Sequence, residues 1–175
     1  MNQGKTLFAR LVMGAMFAAS AFCGAANAQS CLINGSYAYT YNGTNYATPP
    51  GQATFSEVGT FQISRQSFSQ GQGNIAFAFS NFGGSAGPLW LMVHEVQSSG
   101  TITMSSPNAC DGTLNFLATG TVLATSNPAI MPVGAVLYSN MPRSTAFTLS
   151  GFADLQGDMI STSPGTIATG TFRHQ

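Results

Sequence analysis

The sequence predicts an all-β fold, a single antiparallel β-barrel of about eight strands. Three observations predict it. Large and small residues alternate with period two in one stretch after another, as in Tyr37, Tyr39 and Tyr41 or Phe55, Glu57, Phe61 and Ile63. Glycine, proline and asparagine clusters punctuate the chain at short intervals. No stretch beyond the N-terminal segment sustains the 3.6-residue apolar period of a helix, so little helix is expected. A two-sheet sandwich is the alternative arrangement of the same strands.

Met1 to Ala28 combines a basic start (Lys5, Arg10), an apolar run from Leu11 to Phe22 and the small-residue site Ala26-Asn27-Ala28. This is the pattern of a secretory signal peptide. The run is too short for a transmembrane helix, which needs about 20 residues, so no integral membrane span is expected. Cys23 follows a bulky phenylalanine, a poor context for lipidation. The expected organisation is a signal peptide at 1–28 and one barrel domain at 29–175, exported to the periplasm or beyond the cell.

The strands follow in order. Gly35 to Asn42 places Tyr37, Tyr39 and Tyr41 on one face, and Asn42-Gly43 with Pro49-Pro50-Gly51 ends it. Thr54 to Ser64 places Glu57 among Phe55, Phe61 and Ile63, with a mostly polar opposite face. Gln70 to Asn74 reads as a turn before Ile75, Phe77 and Phe79. After the glycine-rich 81–88, Leu89 to Val96 has Trp90, Met92, His94 and Val96 on one face and Leu91, Val93 and Glu95 on the other. Gly100 to Ala118 reads as a hairpin around Ser105–Ala109, the centre of the fold, with Gly120 to Ala124 extending its second strand.

Ser126 to Arg143 contains Pro128, Pro132 and Pro142, which exclude an uninterrupted helix. It is expected to be a long loop around a short strand at 135–139. Ser144 to Ala153 and Gly165 to Arg173 close the chain, with Phe147 and Leu149 inward and Ile167 a candidate core residue. Gln156-Gly157-Asp158 reads as the turn before a minor strand at 159–161.

Without residues 1–28 the chain keeps three arginines against five carboxylates, a net charge of −2, and no lysine. Nucleic-acid binding needs clustered cations and is not expected. Cys31 and Cys110 are then the only cysteines. In an exported chain they are most simply a disulfide, closing a loop of about 80 residues and worth about 4 kcal/mol in the chain-entropy account. No His or Cys spacing fits a metal site, and no metal or cofactor is expected.

Gly35-Ser-Tyr-Ala-Tyr, Gly59-Thr-Phe, Gly71-Gln-Gly-Asn-Ile, Gly100-Thr-Ile-Thr-Met, Ala109-Cys-Asp-Gly-Thr-Leu and the ending Pro164-Gly-Thr-Ile-Ala-Thr-Gly-Thr-Phe-Arg occur in that order. The pattern resembles a group of secreted bacterial proteins of unknown function whose strands carry Gly-Thr-Tyr and Cys-x-Gly-Thr motifs. The resemblance covers most of residues 29–175 and implies a compact barrel of the calycin or allene-oxide-cyclase kind. Its motifs are turn chemistry, so it implies a fold and names no activity.

Side chains able to carry charge or strong acid–base chemistry are few: Glu57, Arg65, His94, Glu95, Asp111, Arg143, Asp154, Asp158, Arg173 and His174, besides the tyrosines. There is no Gly-x-Ser-x-Gly nucleophile elbow and no phosphate loop. Glu57 stands out, because an inward carboxyl among phenylalanines has a raised pKa unless Arg65, a tyrosine or a hydroxyl reaches it. Its plainer role is an ion pair or a place at the barrel mouth. Tyr39, Trp90 and His94 complete the candidate ligand-binding set, each also readable as wall packing, and no residue is assigned a catalytic role. The expected function is a non-enzymatic exported barrel that binds a small apolar ligand or serves as an envelope or interaction module. The alternative is a cyclase- or isomerase-like enzyme with a dry interior. Oligomeric state is not legible.

Overall fold

Two-residue periodicity becomes eight strands in the computed structural model, which describes residues 31, 33–46, 52–80, 82, 88–106, 109–150 and 156–175. They are β1 (Gly35–Asn45), β2 (Ala53–Ser64), β3 (Ser67–Phe79), β4 (Leu89–Met104), β5 (Asp111–Thr125), β6 (Val136–Ser150), β7 (Gln156–Ser161) and β8 (Thr166–His174). Each pairs antiparallel with its sequence neighbour, and β8 pairs with β1, so the sheet closes into a barrel without free edges. Among the described residues there is no helix. Accordingly none is long and apolar enough to cross a membrane. The predicted signal peptide lies outside the described residues.

The inward face is aromatic. Tyr37, Tyr39, Tyr41, Phe55, Phe61, Phe77, Phe79 and Phe172 are all buried, and their rings meet in two series, one around Phe61 with Tyr37, Tyr39 and Phe172 and one running Tyr41–Phe55–Phe77–Phe79. Outward positions of β1 and β2 are chiefly Ser, Thr, Asn and Gln. Burial of this face drives closure, each phenylalanine contributing about 1.5–3 kcal/mol. At one end Cys31 and Cys110 form the expected disulfide, with Cα atoms 5.1 Å apart across a sequence separation of 79. Ile33 beside it is buried against the core.

The expected central hairpin is present as β4 and β5, which pair from Thr101↔Asn115 to Met104↔Gly112 and continue to Leu91↔Thr125. Several boundaries differ from expectation. Asn42 and Gly43 lie within β1 rather than ending it. Gln70–Asn74 is not a turn but the middle of β3; the turn is Arg65-Gln66, whose φ values of 52° and 60° suit a tight two-residue hairpin. Residues 126–143 are not a long loop around an isolated strand, because β6 runs unbroken from Val136 through Pro142 to Ser150. A register shift opposite Ala118–Gly120 and a left-handed Asn140 (φ 51°) absorb the irregularity. Gln156–Asp158 is strand, not turn. Ile167 points outward at 69% exposure, and Ala168 and Phe172 fill the core in its place.

Candidate functional site

The two glutamates are the only ones in the chain. Both point into the barrel: Glu57 from β2 is 4% exposed and Glu95 from β4 is 1% exposed. Strand alternation puts Glu57 in line with Phe55 and Phe61, and Glu95 in line with Leu91 and Val93, so burying the apolar neighbours carries each carboxyl inward.

The barrel makes room for them with glycines. Tyr39 lies opposite Gly59, Tyr41 opposite Gly170, Glu95 opposite Gly73 and Gly120, Gln97 opposite Gly71, and Tyr138 opposite Gly120. A Cβ on Gly73 would sit 2.6 Å from the Tyr39 hydroxyl and 3.0 Å from Glu57 Oε1. On Gly120 it would lie 2.5 Å from the Tyr138 ring. The glycine-rich stretch of β3 that resembles a turn in sequence is therefore a smooth strip of inner wall beneath a polar cluster.

Within that cluster the Tyr39 hydroxyl donates to Glu57 Oε1. The Gln97 side-chain amide donates to the Tyr39 hydroxyl at 2.8 Å, to Glu95 Oε1 at 2.9 Å and, weakly, to Glu57 Oε1 at 3.4 Å. Glu95 Oε2 accepts from the Tyr138 hydroxyl and from the Arg143 guanidinium at 2.8 Å. Arg143 also lies over the Tyr138 ring, 5.4 Å from its centroid. One arginine thus faces two buried carboxylates, and it is paired with Glu95.

Glu57 bears the consequence. Burial, reinforced by the Glu95 charge, pushes its carboxyl up to about 7 against the partial relief of the Tyr39 hydrogen bond and the Arg143 charge. Burial likewise raises Tyr39 and Tyr138, with the neighbouring glutamates adding to it. For Arg143, burial works against the charged form, and Glu95 more than offsets it, holding the guanidinium protonated.

Tyr39, Glu57, Glu95, Gln97 and Arg143 line a cavity of about 40 Å³ together with Tyr41, Phe61, Phe68, Leu114, Phe116, Thr145, Met159, Ser161 and Ser163. That is room for about three waters or a molecule of a few heavy atoms. Two buried polar atoms here make no hydrogen bond of normal geometry, the Tyr41 hydroxyl and Arg143 Nε. Burial raises the Tyr41 pKa, and weak hydrogen bonds with the Ser161 and Thr145 hydroxyls lower it. An outer groove shares Phe116, Arg143 and Ser163 with the cavity, so these residues form the wall between interior and surface.

Of the four residues expected to bind a ligand, Tyr39 and Glu57 meet in this cluster. Trp90 and His94 do not: Trp90 is 51% exposed, and His94 bonds Asn74 on the outer wall. Both faces of 89–96 are apolar, so alternation alone could not choose the inner one. The partner of Glu57 is Tyr39 rather than Arg65, which sits exposed in the β2–β3 turn. Sequence reasoning missed Glu95, Gln97, Tyr138 and Arg143 as members of the site. The signal available was the run Leu91, Val93, Glu95, Gln97, a second apolar strand face that ends in polar residues. Among the described residues no three His, Cys, Asp or Glu side chains come together as a metal site would require.

No family model, curated protein or solved structure matches this chain.

Proposed function

We propose that this is an exported ligand-binding barrel that holds a small amphipathic molecule in its interior. The observation that carries the reading is Glu57, a carboxyl 4% exposed that receives only neutral donors, on the wall of a cavity that also presents the Tyr41 hydroxyl and Arg143, whose Nε has no hydrogen-bond partner. Buried polar groups are normally satisfied, so an unpartnered one beside a cavity has a bond that a guest or a water can supply. The apolar part of the guest packs on Phe61, Phe68, Leu114 and Phe116, and its polar end meets Tyr41, Glu57 and Thr145. The expectation of a purely apolar ligand is narrowed by this lining, and the cavity size narrows it to a small one.

Export is supported by the leader-like segment 1–28 and by the Cys31–Cys110 bridge, which an oxidising compartment maintains. N-terminal sequencing of the protein recovered from its own compartment is expected to begin at Gln29.

A second reading, an isomerase- or cyclase-like enzyme, is favoured by one observation, a buried Glu57 carboxyl pushed up to about 7 on the cavity wall, where it can exchange a proton with a guest. Native mass spectrometry of the protein from its own compartment decides. The binding reading expects a bound small molecule whose occupancy falls in Tyr41→Phe and that leaves unchanged on release. A molecule that is converted on incubation supports the enzyme, and an empty cavity in every preparation overturns both.

A further inference from the structure

The cavity is unbalanced in charge as well as in hydrogen bonds. Its ionisable wall groups are Tyr39 and Tyr41 from β1, Glu57 from β2, Glu95 from β4 and Arg143 from β6, joined at Glu95 by Tyr138. The remaining wall is Phe68 from β3, Leu114 and Phe116 from β5, Met159 and Ser161 from β7, and Ser163 beyond it. Arg143 is committed to Glu95 at 2.8 Å. Glu57 receives only neutral donors, the Tyr39 hydroxyl and the Gln97 amide, and both end on the same oxygen, Oε1.

A buried carboxylate in that position has two ways to reach neutrality, a proton or a cationic guest. A cation is well provided for here. Tyr41, Thr145 and Ser161 offer hydroxyl oxygens as acceptors beside Glu57, and the aromatic residues Tyr39, Tyr41, Phe61, Phe68 and Phe116 line the same cavity. An anionic guest would instead meet two carboxylates and an arginine already paired.

We propose that the guest is a small primary ammonium compound, held with its –NH₃⁺ against Glu57 and the Tyr41 hydroxyl and with a neutral acceptor on its short tail facing Arg143 Nε. This deepens the ligand-binding reading and rests on it. The ammonium replaces the proton that otherwise neutralises Glu57, so binding releases about one proton at pH values where Glu57 is protonated. With burial holding the Glu57 carboxyl up at about 7, affinity is expected to rise about tenfold per pH unit below that value and to level off above it.

The test is isothermal titration calorimetry of the disulfide-bonded protein with three near-isosteric probes: ethanolamine, ethylene glycol and glycolate. Titrations at pH 5.5, 6.5, 7.5 and 8.5, in amine-free buffers of differing ionisation enthalpy, count the protons released. The expected result is that ethanolamine binds at least tenfold tighter than the other two, with the pH slope and proton release just described. Glu57→Gln is expected to remain folded, to lose at least tenfold in ethanolamine affinity and to flatten the pH profile. Tyr41→Phe keeps the Glu57 charge and is expected to weaken ethanolamine severalfold. Tighter binding of ethylene glycol or glycolate, or ethanolamine binding that ignores pH, overturns the ammonium assignment and leaves the binding reading standing. Failure of all three probes overturns the assignment as well; if the native protein also carries no bound molecule, the binding reading falls with it.

Discussion

Replacing Glu57 by glutamine removes one negative charge from a cavity that holds two carboxylates and one arginine. The amide oxygen can still accept from the Tyr39 hydroxyl and the Gln97 amide. The size of the effect follows from the proton. Folding raises the Glu57 carboxyl from its ordinary 4.5 to about 7, so between these values the folded protein holds a proton that the unfolded chain has released. Stability therefore falls as pH rises through that window and is flat above it, and each pH unit is worth about 1.4 kcal/mol. Across the window the wild type loses about 3 kcal/mol that Glu57→Gln does not. Urea denaturation followed by circular dichroism at pH 4.5 and pH 8, in amine-free buffer, measures it. The advantage of the variant over the wild type is expected to grow by about 3 kcal/mol between the two. A variant less stable than the wild type at pH 8 by about 2 kcal/mol or more would mean that Glu57 is the anionic half of a buried ion pair, and the reasoning would be refuted.

The other glutamate behaves in the opposite way. Glu95→Gln strands the Arg143 guanidinium and is expected to cost about 3–5 kcal/mol, while Glu95→Gln with Arg143→Met costs clearly less than the two single changes summed; urea melts of the four proteins decide. Gly73→Ala puts a methyl 2.6 Å from the Tyr39 hydroxyl and 3.1 Å from the Val58 carbonyl oxygen, and an overpacking loss of about 1–3 kcal/mol is expected in the same assay. Reducing the Cys31–Cys110 bridge is expected to cost about 4 kcal/mol, seen as a lower melting temperature, and non-reducing peptide mapping is expected to find the two cysteines joined.

The barrel was legible because its inner face is strongly patterned. Tyr37, Tyr39 and Tyr41, and Phe55, Glu57, Phe61 and Ile63, alternate so regularly that period two leaves no other assignment, and their burial agrees. Errors fell where one residue type serves two purposes. Gly71 and Gly73 read as turn formers, yet their role is to leave space beneath Tyr39, Glu57 and Gln97. Pro142 reads as a breaker, yet it sits within β6 opposite Leu117, near the register shift of the β5–β6 pair. Ile167 reads as core because it is apolar, and only the pairing of β8 with β1 shows that its neighbour Ala168 takes the inward place.

The site was half legible. Glu57 announced itself as a charge among phenylalanines, and Tyr39 came with its stripe. Arg143 could not be placed while its segment read as loop, because only the closed barrel brings β6 across from β2 and β4. Trp90 and His94 drew attention as unusual residues on a strand of two apolar faces, and fully buried Leu91 and Val93 resolve the choice against them.

Carbon-13 NMR of the side-chain carboxyls in protein labelled at glutamate reads the protonation of Glu57 itself. With only two glutamates in the chain, the spectrum holds two carboxyl signals, assigned by the loss of one in Glu57→Gln. The Glu57 signal is expected to titrate near pH 7 without ligand and to stay ionised to lower pH when ethanolamine is added. A Glu57 signal already ionised at pH 5, with or without ethanolamine, would contradict it.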